Sequence, residues 1–298
     1  TPKPSSAASD VYKRQFHDLA KSTPLLASIY PNGKADVNEF QTAGGPAFVI
    51  RELIETGCMY PDVMTISEGG LKEYTKKPSK ENGKIIWTDL PKKSGDDTIV
   101  RTADNPFSES GGLKLLNGNL GRSVIKISAV PEDRYIIEGP AIIFDTQEEL
   151  LSAFDRGELE KDFVAVVRFQ GPKANGMPEL HKLTPPLAVL QNKGFKVAIV
   201  TDGRMSGASG KIPAAIHLSP EASANGPIGK IRNGDTIRLN ALVGTLNVLV
   251  DEDTWHEREY EALSDKHRND NAHDIGRELF AGMRKNVLSA EEGAVTWL

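Results

Sequence analysis

The polar groups best suited to chemistry in this sequence fall in two loops, each following a strand-like apolar run. Residues 197–211 read VAIVTDGRMSGASGK, a buried-type strand that gives way to a glycine-rich turn carrying Thr201, Asp202, Arg204, Ser206, Ser209 and Lys211. Glycines at 203, 207 and 210 let a ligand come close to backbone N–H groups, so the turn suits an anion or a sugar. Chemistry in α/β architectures gathers at such strand ends. The spacing is neither that of a phosphate-binding P-loop nor that of the Gly-x-Gly-x-x-Gly dinucleotide turn. On composition alone, a tight structural turn accounts for the same residues. The second loop, FQGPKANGMPELHKLTPPL at 169–187, offers Lys173, Asn175, Glu179, His181 and Lys182. Glu179 is its candidate metal ligand, because a carboxylate is a hard oxygen donor; a solvated loop carboxylate is the ordinary alternative. His181 reads as a surface or core hydrogen-bonding group. Residues 110–130, SGGLKLLNGNLGRSVIKISAV, read only as loop into strand.

The elements that must position these loops follow from hydrophobic period and punctuation. Apolar residues recur at three and four over 16–57, which predicts two helices flanking a Pro-Asn-Gly turn at 31–33, the second ending at Gly57. Cys58, just beyond, is expected to be a buried structural thiol. A polar stretch at 77–106 reads as a domain boundary or a long surface connection. Beyond it, strands are expected at 124–130, 135–144, 163–169, 196–201, 236–239 and 246–250. Helices are expected at 146–154, 185–192 and 272–288, the first with a Thr146–Glu149 capping box. The fold class is α/β, with a C-terminal β/α domain of roughly 190 residues around a barrel or curved sheet. The expected division is a non-native or disordered leader at 1–15, a helical part at 16–105 and the β/α domain at 106–298.

Composition excludes several function classes. The chain has 298 residues, a formal net charge of -5 and one cysteine. Interspersed acids and bases argue against nucleic acid as a partner. No apolar run approaches the roughly 20 residues of a membrane-spanning helix. A single cysteine suggests a reducing, cytoplasmic setting and falls short of an iron–sulfur ligand set.

Four collinear blocks, VTDGRMSGASGKIPAAIH, GPKANGMPELHKL, GNLGRSVIKISAV and YPNGKADVNEFQTAGG, closely resemble the dihydroxy-acid and phosphogluconate dehydratase family. The residues after Lys211 and the Ala-Asn-Gly before Met177 resemble its phosphogluconate branch, which serves the Entner–Doudoroff pathway. The resemblance implies a hydro-lyase that dehydrates 6-phospho-D-gluconate to 2-dehydro-3-deoxy-6-phospho-D-gluconate, using magnesium and an iron–sulfur cluster of the 4Fe-4S kind. It implies that Ser206 is the base, that Glu179 binds magnesium, and that Thr201, Asp202, Arg204, Ser209 and Lys211 surround the substrate. It also implies a swivelling β/β/α barrel-like domain preceded by the last helices of an α/β N-terminal domain, and a homodimer when full-length. The family's cluster cysteines lie ahead of anything in this sequence, so the chain is expected to be an incomplete enzyme, inactive alone. The alternatives are a sibling dehydratase acting on dihydroxy acids or sugar acids, and a non-catalytic sugar-acid-binding domain.

Overall fold

The computed structural model describes residues 10–206 and 210–296. The described residues divide into two compact units, one of residues 18–112 and a larger one of residues 113–296 that also includes residues 10–17. Of the expected leader, residues 1–9 lie outside the described residues, and the chain is helical from Asp10 in α1 (Asp10–Ser22).

In the smaller unit Pro24 keeps α1 from continuing, and the chain runs extended, bridging Leu25 to Ser108 and Ala27 to Val100. Two helices follow, α2 (Val37–Ala43) and α3 (Gly45–Glu55), where the periodicity led us to expect one. Asp36 caps α2 through the amides of Asn38 and Glu39, while Glu39 returns the bond to the Asp36 amide. Leu26, Ala43, Phe48, Ile99 and Val100 form the core of this unit. The polar stretch at 77–106 is therefore no simple connection. It contains a hairpin, β1 (Lys76–Glu81) against β2 (Lys84–Asp89), turned by Asn82 and Gly83, both at positive φ, as a two-residue hairpin turn requires. Cys58 corrects the expectation of a buried thiol: it is exposed, because the chain past α3 turns out into solvent.

The larger unit is a closed barrel of eight strands in the order β10-β3-β4-β8-β7-β6-β5-β9. These are β3 (Leu113–Gly118), β4 (Gly121–Lys126), β5 (Ile136–Phe144), β6 (Phe163–Val167), β7 (Val197–Thr201), β8 (Ala214–Ser219), β9 (Thr236–Asn240) and β10 (Thr245–Val248). The strands from β5 through β8 run parallel, β4 and β9 pair antiparallel to both of their neighbours, and β3 pairs antiparallel to β4 but parallel to β10. Along β6, Val164 and Val166 fill the barrel, while Phe163, Ala165 and Val167 face a second core with Leu150, Leu187 and Leu190. That second core lies under α4 (Gln147–Asp155) and α6 (Thr184–Asn192). Burial on both faces explains why the sequence of β6 and β7 is continuously apolar rather than alternating. The barrel closes where β10 meets β3, with Thr245 opposite Asn117. The Asn119 side chain finishes the ladder there, donating to the Val248 carbonyl at 2.8 Å and accepting from the Val248 amide at 2.9 Å. Gly118 permits this approach, since a Cβ there would lie 1.9 Å from the Leu246 carbonyl oxygen.

Strands β3 and β8 were not expected, and the helix expected at 272–288 is broken. Its residues form the end of α8 (Asp265–Ala272), a 3-10 turn and α9 (Ala281–Asn286). Asp274, Ile275 and Gly276 all take positive φ, which no right-handed helix admits. Among the described residues, no helix is long and apolar enough to cross a membrane.

Candidate functional site

The carboxyl ends of β6, β7 and β8 share one rim of the barrel because those strands are parallel. The chain leaves β7 at Thr201, whose hydroxyl accepts from the Gly203 amide at 2.9 Å and so fixes the turn locally. Asp202 follows, with no exposed surface. Its carboxylate accepts from the amides of Phe169 at 3.2 Å, Gln170 at 2.9 Å and Ala222 at 3.0 Å. One side chain thereby ties together the segments that follow β6, β7 and β8. Burial pushes the Asp202 carboxyl up to about 7, against the lowering influence of the three amides.

Glu221, just past β8, performs a similar task for the next segment. It accepts from the amides of Lys173 and Ala174 at 3.0–3.1 Å, at the start of the short helix α5 (Pro172–Asn175). Burial also raises its carboxyl, and the amides partly oppose this. Gln170 completes the frame, donating to the Asp145 carbonyl at 2.7 Å and accepting from the Asn175 side chain at 3.1 Å.

On this frame the two loops singled out in the sequence meet. Glu179 and Arg204 form a parallel backbone bridge. The Arg204 guanidinium donates to Glu179 Oε2 at 3.0 Å and to the Met177 carbonyl at 2.8 Å. The Ser206 amide donates to Glu179 Oε1 at 2.8 Å. Glu179, Arg204 and Ser206 are all exposed, so a carboxylate, a guanidinium and a serine share one accessible face.

The other expected groups fall differently. Thr201 and Asp202 are fully buried and their bonds go to backbone amides, so they hold the turn and do not meet solvent in this chain. Lys211 is exposed, and its carbonyl accepts from the Gln191 side chain at 3.3 Å. Ser209 lies outside the described residues. Glu221 was missed by sequence reasoning: its place became readable only once 214–219 was known to be a strand of the rim.

Glu179 fits a single hard oxygen ligand for a divalent cation. Among the described residues, no group of three or more His, Cys, Asp or Glu side chains could hold a metal ion by itself. An iron–sulfur cluster does not fit this chain, since its one cysteine, Cys58, stands on an exposed turn of the other unit.

Residues 98–294 match the family model "Dihydroxy-acid/6-phosphogluconate dehydratase C-terminal", and residues 5–74 match its N-terminal counterpart. The chain is similar to phosphogluconate dehydratases of Pseudomonas aeruginosa (54% identical over 95% of this chain and 46% of that protein), Zymomonas mobilis (52%, over 94% and 45%) and Escherichia coli K12 (49%, over 94% and 46%). It spans about half the length of these relatives. By the family matches over both of its parts, and by these identities, the chain belongs to the dihydroxy-acid/6-phosphogluconate dehydratase family.

Proposed function

We propose that this chain supplies one wall of the active site of a cytoplasmic hydro-lyase that converts 6-phospho-D-gluconate to 2-dehydro-3-deoxy-6-phospho-D-gluconate. The meeting of Glu179, Arg204 and Ser206 on the barrel rim carries this reading. The names of its relatives support the substrate.

Removing the C2 proton needs a positioned base, because a carbon acid beside a carboxylate is weak. Ser206 is that base in this reading. A serine hydroxyl accepts such a proton only in a strongly positive field, to which the neighbouring Arg204 contributes. Magnesium, with Glu179 as one ligand, would polarise the substrate carboxylate and C2 hydroxyl. Asp202 and Thr201 position the turn, and Arg204, Ser209 and Lys211 face the substrate.

No thiolate set of this chain assists departure of the C3 hydroxide. That task, and the remaining magnesium ligands, belong in this reading to the part of the family that the chain does not span. The chain alone is thus an incomplete enzyme, and the assembled protein is a homodimer acting on a phosphorylated sugar acid. The test joins this chain to the N-terminal half of a family member. Glu179→Gln is expected to abolish magnesium-dependent turnover. Its stability should change by no more than about 1 kcal/mol, the usual worth of an exposed ion pair. Full magnesium-dependent turnover in that variant would remove Glu179 from the site.

A further inference from the structure

A second concavity opens on the same barrel rim, distinct from the Glu179–Ser206 face. It is a cavity of about 430 Å³, within the range of small-molecule sites. Phe169 and Ala222 line it, and the amides of both are held by Asp202, the residue from which the Ser206 turn departs. Lys173 on α5, Arg268 on α8 and Arg284 on α9 also line it, against a single carboxylate, Glu261.

The charge balance favours an anion. Glu261 is engaged with Arg232 at 3.7 Å. Arg284 is held in place by the carbonyls of Arg277 at 2.7 Å and Ala272 at 3.2 Å, bonds that orient its guanidinium without cancelling its charge. Arg268 donates to the Leu263 carbonyl at 3.0 Å and pairs with exposed Asp265 at 3.3 Å. The acids facing Lys173 are Glu221 and Glu292, of which Glu221 already accepts two backbone amides. The Asn271 side chain fastens α8 to α5 through the Ala174 carbonyl at 3.2 Å, so Arg268 and Lys173 sit on elements tied to each other. A partly apolar cavity with three cations suits a small organic phosphate better than a polymer backbone, whose binding needs an extended basic surface.

We infer that this cavity takes the phosphate end of a phosphorylated sugar acid. The inference deepens the proposed function and rests on it. It assigns phosphate recognition to Lys173, Arg268 and Arg284. The chain reads this directly by calorimetric titration with 6-phospho-D-gluconate, D-gluconate and inorganic phosphate. The wild-type chain is expected to bind the phosphorylated acid in preference to gluconate, with inorganic phosphate competing. The double variant Lys173→Gln/Arg268→Gln is expected to bind the phosphorylated acid at least about tenfold more weakly, since charge-assisted bonds are lost. Arg284 is left in place because it also braces α9. An unchanged melting temperature in the double variant separates lost recognition from lost fold.

Undiminished binding by a folded double variant would place the phosphate elsewhere and overturn the inference, as would a wild-type chain with no preference for the phosphorylated acid. Inorganic phosphate that binds without competition from the phosphorylated acid would make this a free-phosphate site and overturn it too. The dehydratase reading survives each of these outcomes, because it is decided by turnover in the Glu179 variant.

Discussion

At the scale of single residues, the two carboxylates of this rim differ because their surroundings do. Glu179 is exposed and takes its bonds from a guanidinium and one amide. Asp202 has no exposed surface and is satisfied only by backbone amides. Asp202→Asn keeps the shape but turns an amide donor toward an N–H, stranding a buried polar group. A loss of about 1–3 kcal/mol is expected in urea unfolding. The wild type should also show a pH dependence that the variant lacks. The folded-state pKa of Asp202, about 7, lies above the ordinary aspartate value of 3.8, so the folded state keeps a proton that the unfolded chain releases. The contribution of this group is most favourable below about pH 4, declines as pH rises toward 7 and levels off above it. Melting temperatures of the two proteins across that range give the difference. These residues were legible as chemically interesting, but the sequence could not divide them. Thr201 and Asp202 read as ligand groups alongside Arg204 and Ser206, and only their position inside the rim shows that they brace the turn.

At the scale of elements, legibility followed the strength of local signals. The Thr146–Glu149 capping box marks the start of α4 in the sequence, and the structure contains both of its bonds. Thr146→Ala is expected to cost about 1 kcal/mol of stability while leaving ligand binding untouched, by thermal unfolding and titration. The buried strands β6 and β7 were equally plain, because a run such as FVAVV has few other uses. Strand β8 was not, since Ala-Ala-Ile-His-Leu-Ser has neither alternation nor a β-branched run. Missing it concealed Glu221 and its hold on α5. The contact is tight: a Cβ at Gly171 would stand 2.5 Å from Glu221 Oε2. Gly171→Ala should therefore displace Glu221, cost about 1–3 kcal/mol and speed hydrogen exchange at the Lys173 and Ala174 amides. Unchanged exchange there would mean that Glu221 does not hold α5 in solution. The polar, Lys-, Asp-, Ser- and Pro-rich composition of 77–106 made the β1–β2 hairpin look like a connection, although Asn-Gly is itself a hairpin signal.

At the scale of the whole molecule, the parallel strands β5 to β8 gather the ends of their connections on one rim, as α/β architectures do. Strands β3, β4, β9 and β10 complete the circle, by antiparallel pairings except at the parallel β10–β3 seam. An α/β fold built around a barrel was legible from short apolar runs between turn residues. Its closure was not, because the Asn119 seam joins positions far apart in the chain. The smaller unit runs to Gly112, with Ser108 bridged to Leu25, a few residues past the polar stretch at which the sequence suggests a boundary. The central claim is that the rim presents Ser206 as the base beside a cation held by Glu179. The most direct test is turnover of 6-phospho-D-gluconate by Ser206→Ala, in this chain joined to the N-terminal half of a family member, with metal and cluster content measured alongside. The expected result is a loss of about a hundredfold to ten-thousandfold at unchanged metal and cluster content and unchanged stability. Wild-type turnover in that variant would contradict the account.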